Sequence, residues 1–128
     1  MFHKLRITFL TSCALLLMAL PTLAHHSFTA EFNGETTITL KGVLTKVAWV
    51  NPHTYFYVDV KDDSGKVTNW ALECQPTGFM HRGGVTRDMF VEGQEVTVTA
   101  FPAKDGTKNL GYLKDMTFPD GHKVVISQ

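Results

Sequence analysis

The sequence predicts an all-β fold, a small five- to six-stranded OB-like Greek-key barrel with a short helical connector. Three observations lead there. Short alternating apolar runs separated by turn residues dominate, and no stretch sustains a helical period. The first run is long and its apolar phase flips near Gly42, as expected of a bulged strand that serves two sheet faces. The glycine-rich stretch 77–89 interrupts the strands after the third one, where an OB-type barrel accommodates a connector. An open meander or a small sandwich is the alternative.

The first strand is expected from about Thr36 to Val50, with Ile38, Leu40, Val43, Val47 and Trp49 as its apolar positions. Asn51-Pro52 ends it, because proline donates nothing to a ladder and restricts the residue before it. Tyr55 to Val60 alternates again, with Phe56, Val58 and Val60 on one face and Tyr55, Tyr57 and Asp59 on the other. The turn 61–66 leads into Val67 to Cys74, with Trp70, Leu72 and Cys74 inward. Gly83-Gly84 leaves room for at most two short helical turns, one of them at Thr86–Met89. Glu95 to Phe101, Leu110 to Phe118 and a short Lys123 to Ile126 complete the strands, separated by glycine turns at 104–107 and 119–121.

The chain starts with a leader. Lys4 and Arg6 form a basic beginning, Ile7 to Leu20 is almost wholly apolar, and small Ala24 precedes a polar body. That order is the signature of a secretory signal peptide. The apolar run is shorter than the ~20 residues that span a bilayer, and no basic stop-transfer cluster follows it. Cys13 sits too early in the apolar run for a lipobox. The expected division is 1–24 signal peptide, 25–34 lead-in and 35–128 barrel, with a periplasmic or secreted product and no membrane span after cleavage. Twelve Lys and Arg balance twelve Asp and Glu, and loss of Lys4 and Arg6 leaves the mature chain slightly acidic. Without a basic stripe, nucleic acid is not an expected partner. The leader also removes Cys13, so Cys74 has no intramolecular disulfide partner and packing must hold the fold.

Cleavage after Ala24 would make His25 the first residue, followed by His26. A free α-amine beside an imidazole is a chelate, and amine and imidazole nitrogens in a tetragonal plane suit Cu(II). A further ligand has to come from the barrel. His53, in the loop after the first strand, is the candidate, because OB-type barrels bind ligands near their second and third strands and the first loop. Trp49 and Tyr55 flank that loop. The expected site is therefore a surface copper centre made by His25, helped by His53 or His26. The plainer view is that adjacent histidines at a chain end bind copper weakly in almost any peptide, and that a turn histidine bonds to backbone.

Other residues offer less. Cys74 is expected buried and inert, and a soft-metal site with Met80 or Met116 has no spacing in its favour. Glu73 and Asp59 are on paired strands, where solvated sheet faces are the expectation. Arg82 and Arg87, with His81, form the one local cationic cluster, able to hold an anion or a carboxylate, although such arginines commonly bond loop carbonyls. Trp49, Tyr55 and Tyr57 are a candidate aromatic face for a protein partner or flat ligand. His81 and His122 are read as solvated turn residues. No nucleophile elbow, no Cys-x-x-Cys and no His-Glu-x-x-His occurs.

Several of these residues together resemble a family of small exported bacterial proteins of unknown function. They are Ala24-His25-His26-Ser27-Phe28 followed by Glu31, Gly42-x-x-Thr45-x-Val47-x-Trp49-x-Asn51-Pro52-His53, the strand Trp70-Ala71-Leu72-Glu73, Arg82-Gly83 with Thr86-Arg87, and Leu113 with Pro119-Asp120-Gly121. In that family the glycine turn often reads Arg-Arg-Gly-Trp, whereas His81 and Gly84 stand at the first and last of those positions here. The resemblance implies export and a barrel but no activity. A looser similarity connects Trp49, His53 and Met116 to periplasmic OB-type barrels that bind copper. Two function classes follow. One is a non-enzymatic copper-binding barrel; the other is an adaptor or ligand-binding barrel that holds an unknown protein or small ligand without metal.

Overall fold

The structure, a computed structural model, describes residues 27–127. The expected leader and the histidine pair His25 and His26 lie outside the described residues.

Strand β1 (Ile38–Ala48) is the spine of a closed sheet. Its first half, Ile38 to Val43, pairs with β4 (Glu95–Pro102), and its second half, Gly42 to Ala48, pairs with β2 (Tyr55–Lys61). A hairpin joins β2 to β3 (Val67–Glu73), and β4 runs antiparallel to β5 (Leu110–Thr117). Three parallel pairs, Ala71–Leu110, Leu72–Gly111 and Glu73–Tyr112, join β3 to β5 and close the barrel in the order β1-β2-β3-β5-β4. The short β6 (Lys123–Val125) adds an outer strand to β5. This closure selects the OB-like barrel over a meander or a sandwich.

The connector is two short pieces, helix α2 (Thr77–Arg82) and a 3-10 turn at Arg87–Met89; a four-residue turn of helix, α1 (Phe28–Glu31), precedes the barrel. Met80 from α2 and Phe90 after the 3-10 turn are inserted into the core beside Leu44, Phe56, Val58, Leu72, Val98, Leu113 and Met116. The Phe90 ring meets Phe56 edge-on at 4.6 Å. No helix among the described residues is long and apolar enough to cross a membrane.

The bulge differs from the sequence-based expectation. The register of β1 against β2 slips between Leu44 and Lys46, so Thr45 is the extra residue. Leu44 is fully buried, Val43 is 36% exposed, and the inward phase resumes at Val47. Gly42 has another task. It pairs with Val60 on one side and Val96 on the other, where β1 changes partners. A Cβ there would overlap the Asp59 carbonyl oxygen and press on a Val58 methyl. Glycine therefore permits a close strand approach rather than making the bulge.

Replacing Gly42 by Ala is expected to cost about 1–3 kcal/mol in denaturant unfolding, the range for overpacking a tight interior. Unchanged stability would contradict the close approach.

Candidate functional site

The Trp49–Tyr55 loop puts His53 beside the end of β3. Asn51 anchors the loop, since its Oδ1 accepts hydrogen bonds from the backbone N–H and the hydroxyl of Thr77 at the start of α2, both at 3.0 Å. Backbone bonds Cys74 N to Thr54 O (2.8 Å) and Thr54 N to Gln75 O (3.4 Å) tie the other end to the chain leaving β3. Loop and strand end are thus one unit, with His53 held over Glu73.

Glu73 is the centre of this arrangement. Its Oε1 lies 2.6 Å from His53 Nδ1, and its Oε2 accepts a hydrogen bond from the Tyr55 hydroxyl at 2.8 Å. The Glu73 side chain is 9% exposed and that of His53 25%. Burial first, then the bond to Glu73 and its charge, hold the Tyr55 phenol well above the ordinary tyrosine value. The expectation that Glu73 faces solvent, or pairs with Asp59, is corrected here. Tyr55 is register partner of Glu73, whereas Asp59 sits opposite Asn69 and accepts its amide at 2.7 Å.

The lead-in covers this spot. Phe32 pairs as an isolated bridge with Ala103, Asn33 N donates to Pro102 O at 3.0 Å, and Lys104 N donates to Glu31 O at 2.8 Å. The Phe28 ring seats edge-on against Phe101 and Tyr112 at 5.2 and 5.0 Å, and Phe32 is buried against Tyr112. These rings pin the lead-in to the barrel. The result is a cleft of about 90 Å³ whose walls include Phe28, Glu31, His53, Glu73 and Tyr112. That volume holds an ion with a water or two, well below the ~300 Å³ at which ordinary organic-ligand pockets start. Two carboxylates, Glu31 and Glu73, give the cleft a cation's charge preference.

The other expected site residues are dispersed. Trp49 does not join Tyr55 and Tyr57. After the bulge Val47 and Trp49 share the inner phase, so the indole packs on Phe90 at 6.4 Å and on the His81 ring at 5.7 Å. Tyr55 and Tyr57 stack at 6.3 Å on the outer face, with Lys46 over Tyr57. Arg87 donates to Phe90 O (2.7 Å) and pairs with Glu92 (3.0 Å), which also accepts from Val47 N; it fastens the connector to β1. Arg82 lies over its neighbour Phe79 at 4.4 Å. His81 and His122 are both exposed, as expected, and each also meets a ring: His81 stands edge-on to Trp49, and His122 stacks on Phe118 at 4.3 Å while its Nδ1 lies 2.6 Å from Asp120.

Cys74 is fully buried and free, and burial, then the Glu73 charge, push its thiol well above the ordinary range. Met80 and Met116 are core residues. Among the described residues no group of three or more His, Cys, Asp or Glu side chains is disposed to hold a metal. A metal at the cleft therefore needs ligands beyond them.

A family model for a family of unknown function, DUF6152, matches residues 14–112. The chain belongs to that family. The match takes in the lead-in, the His53 loop, Glu73 and Tyr112. Comparison with curated proteins and with solved structures gave no match. This DUF6152 member is a small β-barrel protein of a family without an assigned activity.

Glu73, Glu31 and the Phe28–Tyr112 seat were not among the site residues expected from sequence. Hairpin register was the available signal for Glu73: if Lys61 faces Val67, Tyr55 must face Glu73.

Two outcomes follow. Burial leads, and the Cys74 and Glu73 charges add, in raising the Tyr112 phenol above the ordinary value. Its proton is held more firmly in the folded state, so this contribution to stability is complete below the unfolded value of about 10 and is lost as pH rises from there towards the folded value. Alkaline unfolding should become less steep in Tyr112→Phe; an unaltered profile would contradict the raised phenol. Separately, Thr54 Oγ1 is buried without a hydrogen-bond partner. Thr54→Val should raise unfolding stability by about 1 kcal/mol by removing an unsatisfied hydroxyl, and a loss of stability would show that the hydroxyl has a partner.

Proposed function

We propose that this protein is an exported, non-enzymatic copper-binding barrel whose site joins the mature N-terminus to the barrel. The ligands are the α-amine and ring of His25, with His53 and His26 supplying further imidazole. One observation carries the reading: the lead-in and His53 share a single small acidic cleft, lined from one side by Phe28 and Glu31 and from the other by His53 and Glu73. His25 precedes Ser27 by two residues, a reach of at most ~7 Å of extended chain. A mature start at His25 would place its amine three residues ahead of Phe28, which lines the cleft with His53.

The donor chemistry agrees. With Nδ1 donating to Glu73, a neutral His53 carries its lone pair on Nε2. Amine and imidazole nitrogens favour Cu(II) over the other common divalent ions. A cleft of about 90 Å³ suits an ion, which agrees with a binder. Carriage or resistance would suit a copper binder in an oxidising compartment.

A second reading has its own observation. The stacked Tyr55–Tyr57 pair with Lys46 on the outer face offers a patch for a protein or flat ligand. In that reading the protein is an adaptor, and its histidines are incidental.

The mature protein should begin at His25 by N-terminal sequencing and take up one equivalent of Cu(II), with affinity falling at least tenfold after the α-amine is blocked. Equal affinity with and without the free amine, or a different first residue, overturns the copper reading. Metal-free protein recovered with a specific partner would favour the adaptor.

A further inference from the structure

A second cavity adjoins the acidic cleft and has the opposite charge character. It measures about 410 Å³, and its walls include Phe28, Gln75, Phe101, Tyr112, Lys114 and Ser127. That volume lies within the ~300–1,000 Å³ of ordinary organic-ligand pockets. Phe28, Gln75 and Tyr112 are shared with the cleft, whereas Glu31, His53 and Glu73 line the cleft and not the cavity. Among the described residues that line the cavity, Lys114 alone is charged. A backbone irregularity puts it there. The register of β4 against β5 slips between Thr99 and Ala100, so Lys114 is the extra residue on β5. Such a bulge re-aims a side chain. The Lys114 carbonyl accepts the backbone N–H groups of Ile126 at 2.8 Å and Ser127 at 3.0 Å, which ties the bulge to the chain after β6. Lys114 is half-buried, and its Nζ lies 5.6 Å from the centre of the Phe101 ring. It takes part in none of the ion pairs among the described residues, and the neighbouring Asp115 pairs with Lys123 instead. A half-buried ammonium with an aromatic contact and no anion has capacity left for one.

We propose that this cavity binds a small aromatic carboxylate: its ring packs on Phe28, Phe101 and Tyr112, and its carboxylate pairs with Lys114 Nζ beside the Gln75 amide. Phe28 stands at 81° to Phe101 and at 75° to Tyr112, so a flat apolar body meets both ring faces and ring edges. The ammonium sets the orientation through a charge-assisted hydrogen bond at the edge of that aromatic wall. A neutral arene lacks the second contact, and an aliphatic anion lacks the first. The site uses no histidine or carboxylate of the cleft, so it stands apart from the copper reading. A lysine stem laid along Phe101 for packing alone is the plainer alternative, and it gives no preference for an anion.

The test titrates ¹⁵N-labelled, metal-free protein with phenylacetate, phenylacetamide and acetate, and follows the amide signals by NMR. Phenylacetate is expected to shift the signals of Phe101, Tyr112, Lys114 and Ser127 in a saturable way. Phenylacetamide should bind at least about tenfold more weakly, the loss that accompanies one charge-assisted hydrogen bond, and acetate should not saturate. Lys114→Met, which keeps an apolar stem over Phe101, should bind acid and amide alike, and Lys114→Arg should keep the preference for the acid. Equal affinity of acid and amide for the wild type overturns the proposal. So does saturation confined to other residues, no saturation by phenylacetate, or a wild-type preference in Lys114→Met. Should Lys114→Met not fold, the comparison of acid with amide in the wild type decides the matter alone. Because no metal is present, failure here leaves the copper reading standing, and failure of that reading leaves this result unchanged.

Discussion

Three parallel residue pairs between β3 and β5 organise the rest of the molecule. Without them the chain is an open antiparallel sheet with two exposed edges. With them Leu72 and Leu113 become fully buried, and Glu73 lies beside Tyr112 at the seam. That last pair has two consequences. Tyr112 becomes the platform on which Phe28 and Phe32 stack, so the seam also fixes where the lead-in runs. Glu73 becomes a carboxylate that is nearly buried yet within reach of the His53 loop. Closure of the barrel and assembly of the cleft are one event.

The loop after β1 shows the same economy of parts. Asn51 hydrogen-bonds the start of α2, Trp49 packs on the connector, and Thr54 shares backbone bonds with the chain after β3. His53 is thus placed by a loop that the core holds on three sides. A histidine on such a mount has few orientations available, which suits binding that depends on geometry. The neighbouring arginines have different work: Arg87 clamps the connector and Arg82 covers Phe79, so the cationic cluster read in sequence is dispersed into local contacts.

Much of the barrel was legible in the residues because alternation and turn chemistry are local. Phe56 and Val58 facing in, Tyr55 and Tyr57 facing out, and the turn at 61–66 follow from a period of two and a loop signal. The bulge was legible only in kind. Gly42 marked a special position, but the extra residue is Thr45, because glycine here relieves a contact with β2 that no pattern within β1 reveals. The candidate site was half legible. His53 stood out by its place after Asn51-Pro52, whereas Glu73 looked like any alternating strand residue. Its burial arises from the seam with β5 and from the lead-in above it, both contacts between segments distant in sequence. Trp49 was misplaced for a related reason: the slip at Thr45 decides which way the following residues point.

The anchoring of Phe28 in its ring seat fixes where the described chain meets the barrel: against Phe101 and Tyr112, at one wall of the cleft. A chain end generated just ahead of Ser27, as the proposed processing requires, would start from that fixed point. Protein that carries extra residues there would keep the seat and the barrel, so only material with an authentic start bears on the copper reading.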